Sequence, residues 1–84
     1  MAKVIGYVFV EVGTRHVSEV LDGLNRIEGV TVAHAVTGRY DVIAQVESEE
    51  FFDLANAVLP KVRQLDGVKS TETALVIPEP RKEL

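Results

Sequence analysis

The 84 residues carry nine Lys and Arg against thirteen Asp and Glu, a formal charge of −4 with a pI near 5.0, and no cysteine. Such a length makes one domain, and 46% apolar with 26% charged residues excludes a disordered chain. The sign of the charge and the scatter of the basic residues argue against a nucleic-acid footprint, the lack of cysteine against a disulfide framework or thiolate metal site, and the short apolar runs against a membrane-spanning helix or a signal peptide.

A domain this small is seldom comfortable alone, and oligomerisation is the staple left to it. The composition therefore predicts an acidic, self-associating, cytoplasmic domain. In chain order, KVIGYVFVEV (3–12) is rich in β-branched and aromatic residues and reads as a strand. Its alternation places Val4, Val8, Val10 and Val12 on one face and Ile5, Tyr7 and Phe9 on the other, so both faces are apolar.

Thr14 is placed to cap a helix whose stripe is Val17, Val20, Leu21, Leu24 and Ile27, ending at Glu28-Gly29. VTVAHAV (30–36) and YDVIAQVE (40–47) read as two strands joined by a Thr-Gly turn. Ser48 is expected to cap a second helix, with Glu49 and Glu50 in its first turn and Phe51, Ala55, Val58, Val62 and Leu65 as its buried stripe. Pro60 lies inside that pattern and predicts a kink near Asn56 or a short second segment. Asp66-Gly67 stops the helix, VKSTETALVI (68–77) reads as a fourth strand, and 78–84 form a polar, Pro-broken tail.

The order is β-α-β-β-α-β. RIEGVTV (26–32) and QLDGVKS (64–70) repeat a helix-end, acidic-Gly-Val, strand-start pattern, as two β-α-β halves would. These features predict an α+β, ferredoxin-like domain over 3–77, a four-stranded antiparallel sheet with both helices on one face. The other face would expose Ile5, Tyr7 and Phe9, and a second copy of the same sheet is the cheapest cover. A two-fold homodimer follows, with those three residues at its interface.

Enzyme chemistry finds few parts here. His16 and His34 stand on different elements with no carboxylate at metal-ligand spacing, there is no thiol nucleophile, and the six glycines form no phosphate loop. No cofactor and no metal site are expected. Glu47, Glu49 and Glu50 cluster where a helix start favours anions, and the third strand lacks the basic-Gly-aromatic pattern of an RNA-binding sheet.

The hairpin and the fourth strand are richer. Gly38, Arg39, Tyr40 and Asp41 bring together a flexible backbone, a cation, a phenol and a carboxylate, while Thr71 and Thr73 point to one face of their strand. A zwitterionic amino acid suits these parts, a carboxylate for its ammonium and hydroxyls with backbone N–H groups for its carboxyl. In the usual 4-1-3-2 sheet order the two sets lie at least two strand spacings apart, so one small ligand would touch both by bridging subunits. Ligand capture would then report on assembly.

At VTGRYDVIAQV and LDGVKSTETALVI the sequence resembles the effector (RAM) domain of the Lrp/AsnC family of regulators, over 3–77. The resemblance implies sheet-to-sheet dimers assembled into rings, with effector amino acids held in clefts between dimers. It places Gly38, Tyr40 and Asp41 in the effector loop and Thr71 and Thr73 on the fourth strand, and leaves Arg39 at the variable position. Full members of the family carry an N-terminal helix-turn-helix, whereas this chain opens directly in a strand and resembles the stand-alone form. The resulting expectation is a non-enzymatic amino-acid sensor modulating transcription or metabolism through partners, full-length regulators of the family among the candidates, without touching DNA itself. Two rivals share the fold: an ACT-type ligand-binding domain, for which VGTRHVS offers only one glycine, and a cofactor-free dimeric monooxygenase or isomerase using His34 or His16 with Tyr7. A deep pocket between sheet and helices would favour the enzyme.

Overall fold

A computed structural model describes residues 3–13 and 16–78. β1 (Val4–Val12), β2 (Val30–Ala35), β3 (Val42–Ser48) and β4 (Val68–Leu75) form one antiparallel sheet in the order β2-β3-β1-β4. α1 (Val17–Asn25) follows β1. The second helical unit follows β3 as α2 (Phe51–Asp53), a π-helical turn (Leu54–Val58) and α3 (Leu59–Arg63). Fold class and strand order agree with the sequence reading.

Alternation in the strands decides which side meets the helices. Val8 and Val10 of β1 and Val42, Ala44 and Val46 of β3 are buried with Val20 and Leu24 of α1 and Leu54, Val58 and Val62 of the second unit. The opposite face carries Ile5, Tyr7 and Phe9 on β1, paired with Glu47, Gln45 and Ile43 on β3. Tyr7 keeps 38% of its surface exposed there, since none of the described residues packs over it.

The helix starts differ from expectation. Thr14 lies outside the described residues, and α1 begins at Val17 with His16 in the N-cap position. Ser48 caps nothing: it pairs with Val4 as the last residue of β3, its backbone committed to the ladder. Glu50 takes the N-cap position of α2 with extended dihedrals, and the acid of the first turn is Asp53, not Glu49 or Glu50.

The buried stripe of the second unit also shifts. Phe51 is 57% exposed and Leu54 is fully buried, so the stripe runs Leu54, Val58, Val62. The cause is the π turn, where the Leu59 N–H donates to the Leu54 carbonyl five residues back. Pro60 has no N–H and its ring crowds the carbonyl one turn earlier, so the helix opens just ahead of it, close to the expected kink. β3 begins at Val42 and β4 ends at Leu75, two residues inside each expected boundary. Pro78 stands outside the regular elements, and the rest of the tail lies outside the described residues.

Candidate functional site

The β2–β3 hairpin and the start of β4 reach the same end of the sheet, on either side of the last residues of β1. Gly38 turns the hairpin at φ 109°. Asp41 then anchors it. Its N–H donates to the Val10 carbonyl at 2.9 Å, its carbonyl accepts the Val36 N–H at 3.0 Å, and its Oδ2 accepts the Val12 N–H at 2.8 Å. A carboxylate taking a backbone N–H at a strand end does what a cap does for a helix: it satisfies a donor that has lost its ladder partner.

The β1–β3 ladder ends at the Val10–Val42 pair, so Val12 has no partner on β3 and its N–H turns to Asp41. Between β1 and β4 the register slips between Glu11 and Val12, so Ser70 faces Glu11, Val68 faces Val12, and Lys69 is the extra residue. The Glu11 carboxylate is held by the Ser70 hydroxyl at 2.8 Å and by the Lys69 ammonium at 3.6 Å. Beside this corner a hollow of about 190 Å³ is lined by Arg63, Val68, Lys69, Ser70 and Thr71.

Thr71 pairs with Val10 and Thr73 with Val8, which puts both half-buried hydroxyls on the helix-covered side of the edge strand. Arg39 and Tyr40 belong to the other side. The Tyr40 ring lies 5.6 Å from Phe9, the Arg39 guanidinium lies 5.6 Å from the Tyr40 centroid, and the Tyr40 hydroxyl donates to Glu72. That hydrogen bond, before partial burial and the Glu72 charge, raises the Tyr40 phenol above its ordinary value, and Arg39 opposes the rise. Of the predicted ligand-binding residues, then, Asp41 and Thr71 flank one stretch of β1, Gly38 forms the exposed tip, and Arg39 and Tyr40 lean toward the open face.

The sequence reading left Glu72 out and placed Phe9 at the dimer interface, not beside the effector loop. Alternation alone puts Glu72 on the face opposite the two threonines, but its meeting with Tyr40 depends on register across three strands. Asp41 and Thr71 stand on the two neighbours of β1, about 10 Å apart at the usual strand spacing. The ammonium and carboxyl of an α-amino acid hang on one carbon, so a single head group does not bridge that gap within one chain.

A larger hollow of about 380 Å³ lies at the opposite end of the sheet, between Lys3, Gly29, Glu47, Asp53, Val58 and Lys61 among others. Neither His16, His34 nor Tyr7 lines it, so it does not assemble the enzyme rival's residues. Among the described residues no three His, Cys, Asp or Glu side chains gather to hold a metal ion, and no helix is long and apolar enough to cross a membrane.

Residues 6–83 match the family model described as the Lrp/AsnC ligand binding domain. Over 74 residues, 88% of this chain and 47% of the relative, the sequence is 30% identical to an uncharacterized HTH-type transcriptional regulator, PH0140, of Pyrococcus horikoshii. The chain thus spans about half the length of that curated relative. A shorter stretch, 51 residues, is 37% identical to part of a homocitrate synthase of Sulfolobus acidocaldarius, covering 61% of this chain and 11% of the enzyme. The crystal structure of the hypothetical protein PHS023 from Pyrococcus horikoshii superposes with a TM-score of 0.80 at 28% identity, covering 90% of this chain and 92% of that one. The Neisseria meningitidis transcriptional regulator NMB0573, solved as an L-Met complex, shares the fold at a TM-score of 0.76 and 16% identity, over 94% of this chain and 53% of that one.

Proposed function

This chain belongs to the Lrp/AsnC family through its ligand binding domain, and from that premise we propose that it senses a small amino acid by capturing it where copies of the chain meet. The family makes it a regulatory, effector-binding domain; the ligand class, the assembly and the site residues are our reading. Gly38, Arg39, Tyr40 and Asp41 present the effector loop, and Thr71 and Thr73 present the hydroxyl side, drawn from neighbouring copies. Sheet-to-sheet dimers through Ile5, Tyr7 and Phe9 bring these ends into rings of dimers.

The observation that carries the reading is the separation of Asp41 from Thr71 across β1. Two half-sites exist at one end of the sheet, and neither completes the other within a chain. The relative solved with L-Met supports the amino-acid class. A net charge of −4 disfavours direct contact of this domain with DNA and so favours action through partners. The partial match to a homocitrate synthase widens the partners from full-length regulators to metabolic enzymes.

A thermal-shift screen over the twenty amino acids tests this directly. An amino acid present at a hundred times its Kd adds about 2.7 kcal/mol of apparent stability. Asp41→Asn, which keeps an acceptor for the Val12 N–H, and Thr71→Val should each reduce that response while the unliganded protein still melts cooperatively. If no amino acid moves the melting point, or both variants respond like the parent, the reading is wrong.

A further inference from the structure

Glu72 stands between the two threonines and on the other face of the sheet from them, paired with Phe9 of β1. The Tyr40 hydroxyl reaches it from the far side of β1, so one hydrogen bond ties the hairpin after β2 to the edge strand β4. The Phe9 ring lies alongside Tyr40, tilted by 40°, and limits where the phenol can swing. Glu11, the other carboxylate nearby, is already held by Ser70 and Lys69, which leaves Glu72 as the acceptor for the phenol.

The rest of the loop has few restraints of its own. Asp41 is bonded to β1 by backbone and side chain, but a methyl group added at Gly38 would meet nothing within 4 Å. Between the free tip and the anchored Asp41, the tie at Tyr40 is what fixes the loop's height over the sheet. We infer that Glu72 is a positioning residue for the effector loop: by accepting the Tyr40 hydroxyl across β1 it sets the geometry of Gly38–Asp41, and with it the affinity of the site. This rests on the reading of that loop as the effector site. The raised Tyr40 phenol agrees with the tie and gives it a spectroscopic signature.

The test compares the full chain with Glu72→Gln and Tyr40→Phe. Glu72 is exposed on an edge strand, so neither change threatens the core. In a Tyr7→Phe background Tyr40 is the sole remaining tyrosine, and its absorbance titration should move to lower pH in Glu72→Gln. Amide hydrogen exchange at Gly38 and Arg39 should quicken in both variants. Calorimetry with each of the twenty amino acids should show the binding one losing about three- to tenfold in affinity, the scale of one modest hydrogen bond.

Unchanged exchange at the loop in both variants overturns the proposal. A loosened loop that binds its amino acid as tightly as the parent does overturns it too, while leaving the effector reading intact. If the parent binds none of the twenty, the effector reading itself has failed, and Glu72 then positions a loop with no amino acid to receive.

Discussion

Gly29 and Gly38 both hold positive φ, 104° and 109°, yet their surroundings differ. A Cβ at Gly29 would come within 2.5 Å of Val58 Cγ2, whereas one at Gly38 meets open space. Gly38→Ala should therefore cost about 1–2 kcal/mol, the backbone term alone. Gly29→Ala adds overpacking and should cost about 2–5 kcal/mol. Urea unfolding with unchanged m-values checks both. Tyr40 offers a pH test. Its folded-state value is raised above the ordinary 10.0, first by the bond to Glu72, so the tie stabilises fully below pH 10 and is lost as pH rises through the folded value. The melting-temperature gap between parent and Tyr40→Phe should accordingly close as alkaline pH is approached and passed; a gap that stays constant would deny the tie. At this scale the motif residues were legible in the sequence because they bring chemistry a simple turn does not require. Asp41's bond to the Val12 N–H was not, since it depends on where the β1–β3 ladder ends, which only the paired strands reveal.

At the scale of elements, the strands were legible because β-branched runs broken by glycine leave little choice. The second helix was read too long at both ends and wrongly in its first turn, while Val58 and Val62 hold their expected places in the core. Phe51, Ala55, Val58, Val62 and Leu65 fit a regular 3.6-residue period, but a five-residue π turn ahead of Pro60 inserts a step, and Leu54 takes the place at the core. Single-sequence periodicity contains no sign of that extra residue beyond the proline itself. Leu54→Ala should lose about 2–5 kcal/mol, as a fully buried leucine does, and Phe51→Ala should stay within about 0.5 kcal/mol. Chemical denaturation of the two variants separates them; equal losses would restore the regular helix.

For the whole molecule, the fold follows from one arithmetic fact: four strands and two helical units make two layers, and the second side of the sheet is left over. The sequence showed this in β1, apolar on both faces. How the two halves of the proposed site would close could not be read there, because on that reading it depends on surfaces of different copies. The parent should run in size-exclusion chromatography with light scattering as a multiple of 9.2 kDa, and Phe9→Glu should reduce it to that single mass. A parent already at 9.2 kDa would refute the sheet-to-sheet arrangement.

The bareness of that second side has a thermodynamic corollary. β1 is oily on both faces and the described residues cover one of them, so a neighbouring copy seated on the other would lend the strand part of its shelter. Dilution alone should then lower the melting temperature, with no change of buffer or sequence, and heat resistance becomes a property of how many copies share the tube.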